Sequence, residues 1–139
     1  MNAIKDKLVQ AKFTAYPEQY RQPLLIIRAL IFDIAGSTDG VGSITETLKW
    51  SQPSYLTEES GSGTTIRLDQ FGINQITIFV HCQTTLIGSF KTLFPELHYS
   101  KNRAIVLDLN KPLPIDILSL FIEMALTYQL NKKTRTTEK

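Results

Sequence analysis

Sulfur, histidine and long apolar runs are all scarce in these 139 residues. Cys82 is the single cysteine, which excludes an intrachain disulfide framework and a multi-cysteine zinc site and suits a reducing compartment. Histidine occurs twice, at His81 and His98; with Cys82 these make three ligands where a closed zinc site takes four, and no Cys-x-x-Cys or His-x-x-x-His pair is present. The apolar run from Leu24 to Phe32 is short and broken by Arg28, so it cannot span a bilayer, and Met1 to Leu8 lacks the apolar stretch of a signal peptide. A cytoplasmic location with no membrane partner is the expectation. An excess of one charge is missing too. The total is +2, and residues 131–139, with Lys132, Lys133, Arg135 and Lys139 against Glu138, carry +3 of it, which leaves −1 for the rest. A nearly neutral body argues against a nucleic-acid module, whose footprint is a basic face on the folded part.

What the chain does have is 42% hydrophobic and 20% charged residues, within the ordinary range of one globular domain. The reading is a single domain over residues 1–130 followed by a basic, disordered tail over 131–139. A core of this size needs neither disulfides nor a structural metal.

Ile4, Leu8 and Ala11 recur at helical spacing and predict a short amphipathic helix on the surface. Tyr16-Pro17 interrupts it, and a second helix runs from about Glu18 to Ala35, its regular part beginning as late as Gln22 because of Pro23. Between Leu24 and Ala35 only Arg28 and Asp33 are polar, the signature of a helix covered on nearly all sides. After the Gly36–Gly42 loop, Ser43 or Thr45 caps a short helix through Lys49, with Glu46 in its first turn and Trp50 at its exit. Period-two alternation then predicts strands near 54–57, 64–69 and 75–81, with Gly61-Ser-Gly63 and Phe71–Asn74 as hairpin turns too short for a parallel return. Helical content around Leu86, Phe90 and Leu93, a hairpin over 97–109, and a last helix over about 115–130 complete the reading. The fold class is α+β, an antiparallel sheet of four to six strands with N- and C-terminal helices on one face.

Two stretches carry the chemistry. Glu46 to Leu56 puts the single Trp beside Gln, Ser and Tyr at a turn, and Val80 to Leu86 adds His, Cys and two threonines at the end of the most strand-like run. Trp50, Gln52, Tyr55, His81, Thr84, Thr85 and Arg103 are the candidate ligand-binding residues of one small polar cleft, since aromatic walls with a few convergent polar groups are what such a site needs. Arg103 either binds an acidic group or pairs with Asp108 or Glu46. On a packing reading, Trp50 instead bridges the short helix and the core, and its truncation costs about 3–5 kcal/mol. Neighbours on a strand point to opposite faces, so His81 does not reach the Cys82 sulfur, and Cys82 reads as a small buried apolar residue. No catalytic residue and no metal ligand is assigned. The expectation is a non-enzymatic binding module for an unidentified small ligand or protein, with a thiol-dependent enzyme using Cys82 as an alternative.

Tyr16-Pro17, Leu48-Lys-Trp-Ser-Gln-Pro-Ser-Tyr55, Val80-His-Cys-Gln-Thr-Thr-Leu86, Phe94-Pro95 and Asn102-Arg-Ala-Ile105 follow one another in an order that resembles the YdhG-like domains of unknown function. The likeness runs from about Met1 to Leu130. It implies an α+β fold grouped with frataxin-like proteins and, for some members, a description as intracellular iron chaperones. Iron enters through that resemblance alone, and no other cofactor is expected. An acidic ridge on the first helix, which iron binding of that kind uses, is reduced here to Asp6, with Glu18 and Asp33 far apart in the second.

Overall fold

Asp6 starts the first helix by accepting bonds from the backbone N–H groups of Leu8 (2.8 Å) and Val9 (3.1 Å). The computed structural model describes residues 3–131; Lys132 to Lys139, most of the predicted basic tail, lie outside them. In chain order the elements are α1 (Lys7–Ala15), α2 (Glu18–Ser37), β1 (Thr45–Lys49), β2 (Gln52–Leu56), β3 (Ile66–Gln70), β4 (Gln75–Phe79), α3 (Leu86–Leu93), β5 (His98–Ser100), β6 (Ala104–Asp108) and α4 (Ile115–Leu126). The protein is α+β, with one six-stranded antiparallel sheet in the order β1-β2-β3-β4-β6-β5.

Register divides the sheet into two unlike faces. Tyr55, Ile66, Leu68, Ile76, Ile78, Ile105 and Leu107 share one face and join a single core with Val9 and Phe13 of α1, Leu24, Ile27 and Ile31 of α2, Phe90 of α3, and Leu118, Phe121 and Ile122 of α4. All four helices contribute to that core, which puts them on one side. The alternate residues, Ser54, Arg67, Thr77, Phe79, Ala104 and Val106, form the opposite face and lie outside the core cluster.

Several expectations need correction. The segment before Trp50 is a strand, β1, and not a helix; Trp50 and Ser51 form its two-residue turn to β2, with φ of 55° and 59°. Positive φ at both central residues is the requirement of a type I′ hairpin, whose twist matches paired strands. Trp50 is therefore 84% exposed at a hairpin tip and bridges nothing to the core. In α1 the buried face is Val9 and Phe13, while Leu8 and Ala11 are exposed, because the Asp6 cap sets a different phase. Helix α2 begins at Glu18, with Pro23 inside it; the carbonyl that loses a helical partner belongs to Gln19, which is exposed, so the missing bond costs little there. Cys82 lies beyond β4 in a turn and is exposed.

The loop from β2 to β3 is anchored on the end of α4. The Ser62 hydroxyl donates to the Leu126 carbonyl (2.7 Å), Thr64 N–H donates to the Ala125 carbonyl (2.9 Å), and a Cβ on Gly63 would fall 2.4 Å from that same carbonyl oxygen. At the other end of the sheet, Tyr20 holds the β3–β4 turn by accepting from Asn74 N–H (2.9 Å).

Candidate functional site

On the helix-free face, Gln52 is held at both ends. Its amide nitrogen donates to Asp69 Oδ2 (3.1 Å), and its Oε1 accepts from Arg67 Nη1 (3.0 Å). Asp69 also accepts the Tyr16 hydroxyl at Oδ1 (2.6 Å) and its neighbour's backbone N–H. The Arg67 guanidinium lies over the Phe79 ring, 5.4 Å from its centroid, a cation–π contact. Tyr16, Asp69, Gln52, Arg67 and Phe79 thus form one continuous chain of contacts. Buried Ser54 and Thr77 floor the same face, Ser54 directly opposite Arg67 in the β2–β3 register.

Electrostatics mark out Arg67. Burial pushes its pKa down, and the nearby positive charge of Arg103 pushes it further in the same direction. Arg103 sits at the rim, one residue before Ala104, which pairs with Phe79, itself the partner of Arg67. Among the described residues the one ion pair is Arg28–Glu46, so neither Arg67 nor Arg103 is neutralised by a carboxylate. Burial, reinforced by the bond to Asp69, raises the Tyr16 hydroxyl well above the usual tyrosine range and leaves it a firm donor.

On the core side lies a second polar cluster. Arg28 of α2 and Glu46 of β1 form a buried two-pronged pair, Nε to Oε2 at 2.5 Å and Nη2 to Oε1 at 2.9 Å, and Tyr55 donates to Glu46 Oε2 (2.8 Å). Phe32 stacks against Arg28 at 4.8 Å and meets Tyr55 edge-on at 6.0 Å. Burial first, and the Glu46 charge second, raise the Tyr55 pKa far above its ordinary value, while the hydrogen bond to Glu46 raises that of Arg28. The carboxylate that the sequence offered to Arg103 thus belongs to Arg28, which also donates to the Ala3 carbonyl (3.3 Å). A depression of about 400 Å³ lined by Ala3, Lys5, Asp6, Phe32, Ile44 and Glu46 lies beside the pair.

The seven candidate residues fall at separate places. Gln52 bonds to Arg67, and Arg103 acts on Arg67 through its charge. Tyr55 is fully buried beneath the sheet, and Trp50 stands at the β1–β2 tip. Thr84 and Thr85 line an open hollow with Cys82, Ser89, Thr92 and Asn102, where Thr84 Oγ1 donates to the His81 carbonyl (2.8 Å) and Thr85 N–H to the Tyr128 hydroxyl (3.2 Å). His81 is exposed at the strand exit, its Nδ1 accepting from Gln83 N–H (3.1 Å). Arg67, Asp69 and Phe79 were missed. Alternation alone, Arg67 against Ile66 and Leu68, places Arg67 opposite the core, but pairing with Gln52 requires the register. Among the described residues, no three His, Cys, Asp or Glu side chains gather as a metal-ligand set, and no helix is long and apolar enough to cross a membrane.

The architecture is that of a known solved fold. The crystal structure of YdhG from Bacillus subtilis, a protein of the DUF1801 family, matches with a TM-score of 0.59 over 84% of this chain and 86% of that one, at 14% sequence identity. The fold is therefore YdhG-like. No protein-family profile matches the chain, and no curated protein matches its sequence.

Proposed function

We propose that this chain is a YdhG-like domain of the frataxin-like group, acting in the cytoplasm as a non-enzymatic binding module that holds a small polar ligand on the helix-free face of its sheet. The observation behind the reading is Gln52, fixed between Asp69 and Arg67, which orients the guanidinium over Phe79 before any ligand arrives. Supporting it are the motif order in the sequence and the YdhG-like fold. The iron-chaperone and Cys82-enzyme alternatives have no comparable arrangement behind them.

A thermal-shift screen with small polar fragments tests the reading, because a ligand that binds only the folded state raises Tm. Fragments that stabilise the parent are expected to lose their effect on Gln52→Ala and keep it on Thr85→Ala, which alters the rival hollow. Loss on Thr85→Ala alone, or a library in which nothing shifts the parent, overturns it.

A further inference from the structure

The helix-free face holds more positive charge than it neutralises. Arg67 is half-buried, and Gln52, a neutral group, is its hydrogen-bond partner. Arg103, exposed just before β6, carries its charge close enough to lower the pKa of Arg67, and Lys49 stands opposite Gln52 in the β1–β2 register, on the same face. The facing carboxylate, Asp69, is occupied by Tyr16, Gln52 and the Gln70 N–H. With Asp108, opposite Gln75 on the same face, three cations stand against two carboxylates, an excess of one positive charge, and Asp108 lies at the far end of β6 from the two arginines. A guanidinium presents its N–H groups in a planar fork that matches an oxyanion, and the bond to Gln52 with the ring of Phe79 beneath fixes the plane of that fork.

Resting on the binding-module reading, we propose that the ligand class is a small doubly charged oxyanion, a phosphomonoester or dicarboxylate, held between Arg67 and Arg103. Two guanidiniums near one another repel, and the depressed pKa of Arg67 reflects its burial first and that repulsion second. A dianion relieves it; a neutral ligand does not, and a monoanion relieves half.

Calorimetry with inorganic phosphate, phenyl phosphate, succinate and, as the neutral control, glycerol tests this at low salt. Phosphate or succinate is expected to bind saturably and glycerol not at all. Phosphate is expected to bind more tightly at pH 8 than at pH 5.5, because its second ionisation lies between them, whereas succinate, already about half dianion at pH 5.5, changes by no more than about twofold. Arg103→Gln, at an exposed position, is expected to weaken binding about tenfold without changing the melting temperature, and Arg67→Lys, which keeps the charge and loses the fork, by a similar factor. Phosphate binding favoured over succinate identifies the phosphomonoester arm, and the reverse the dicarboxylate. Binding unaffected by either substitution, or no binding of any of the anions, overturns the proposal. If neutral fragments still require Gln52 while all anions fail, the dianion is refuted and the helix-free site survives; if both fail, the binding-module reading falls with it.

Discussion

Glu46 is the residue on which the buried chemistry of this protein converges. Its carboxylate neutralises Arg28 and accepts from Tyr55 in a space where both charged side chains are over 90% covered, so removing it leaves a buried guanidinium without its counter-charge. Glu46→Ala is expected to cost about 3–5 kcal/mol in a urea melt, with Arg28→Met plus Glu46→Leu, which removes both charges, costing far less. Trp50 is the opposite case. At a solvent-exposed tip, Trp50→Ala should change stability by no more than about 0.5 kcal/mol, against the several expected of a buried aromatic. The tyrosines add a pH dependence whose sign follows from their direction of shift. The pKa values of Tyr16, Tyr55 and Tyr99 are all raised above the ordinary 10.0, so above that pH the unfolded chain releases protons that the folded one retains. Stability is therefore fully present below about pH 10 and falls as pH rises beyond it, and Tyr16→Phe should flatten that fall in melts between pH 9 and 11.

Among the elements, β1 shows why part of the fold was not legible. Thr45-Glu-Thr-Leu-Lys49 is an edge strand whose inward face carries a carboxylate, Glu46, together with half-buried Leu48, so its pattern does not read as apolar-in and polar-out. The partner that makes Glu46 tolerable is Arg28, one helix earlier, and no local pattern announces it. By contrast β3 and β4 alternate plainly, and the four-residue Phe71–Asn74 connection permits an antiparallel return alone. The β1–β2 turn carries a prediction of its own: Ser51→Gly, which suits the observed φ of 59°, should raise stability by about 0.5–1 kcal/mol in a thermal melt. The β2–β3 loop offers a second test. A methyl group at Gly63 meets the backbone of Ala125 and Leu126 within 2.6 Å, and backbone cannot swing aside as a side chain does. Gly63→Ala should cost about 1–3 kcal/mol or more in thermal melts, and Gly36→Ala, with open space around it, should cost nothing.

At the scale of the whole molecule, one side of the sheet is spent on the core and the other carries the proposed site. Part of the proposed site was legible: Gln52 and Arg103 are polar residues beside a turn and a strand end, and those are the positions they occupy. Arg67 and Asp69, which bond to Gln52, were read only as the solvent side of a strand, because the contacts that give them a role cross from β3 to β2 and to the end of α1. Trp50 and Tyr55 misled for a physical reason: aromatics suit a ligand wall, a core and an exposed tip alike, and composition does not choose among them. The most direct test of the account is an amide map by nuclear magnetic resonance of the protein titrated with phosphate, with succinate and with a neutral fragment that raises its melting temperature. The account predicts saturable shifts at Ser54, Arg67, Thr77, Phe79 and Ala104, across the middle of the helix-free face. Shifts confined to Thr85, Gly88, Ser89 and Asn102 in the other hollow, or no saturable shift anywhere, would contradict it.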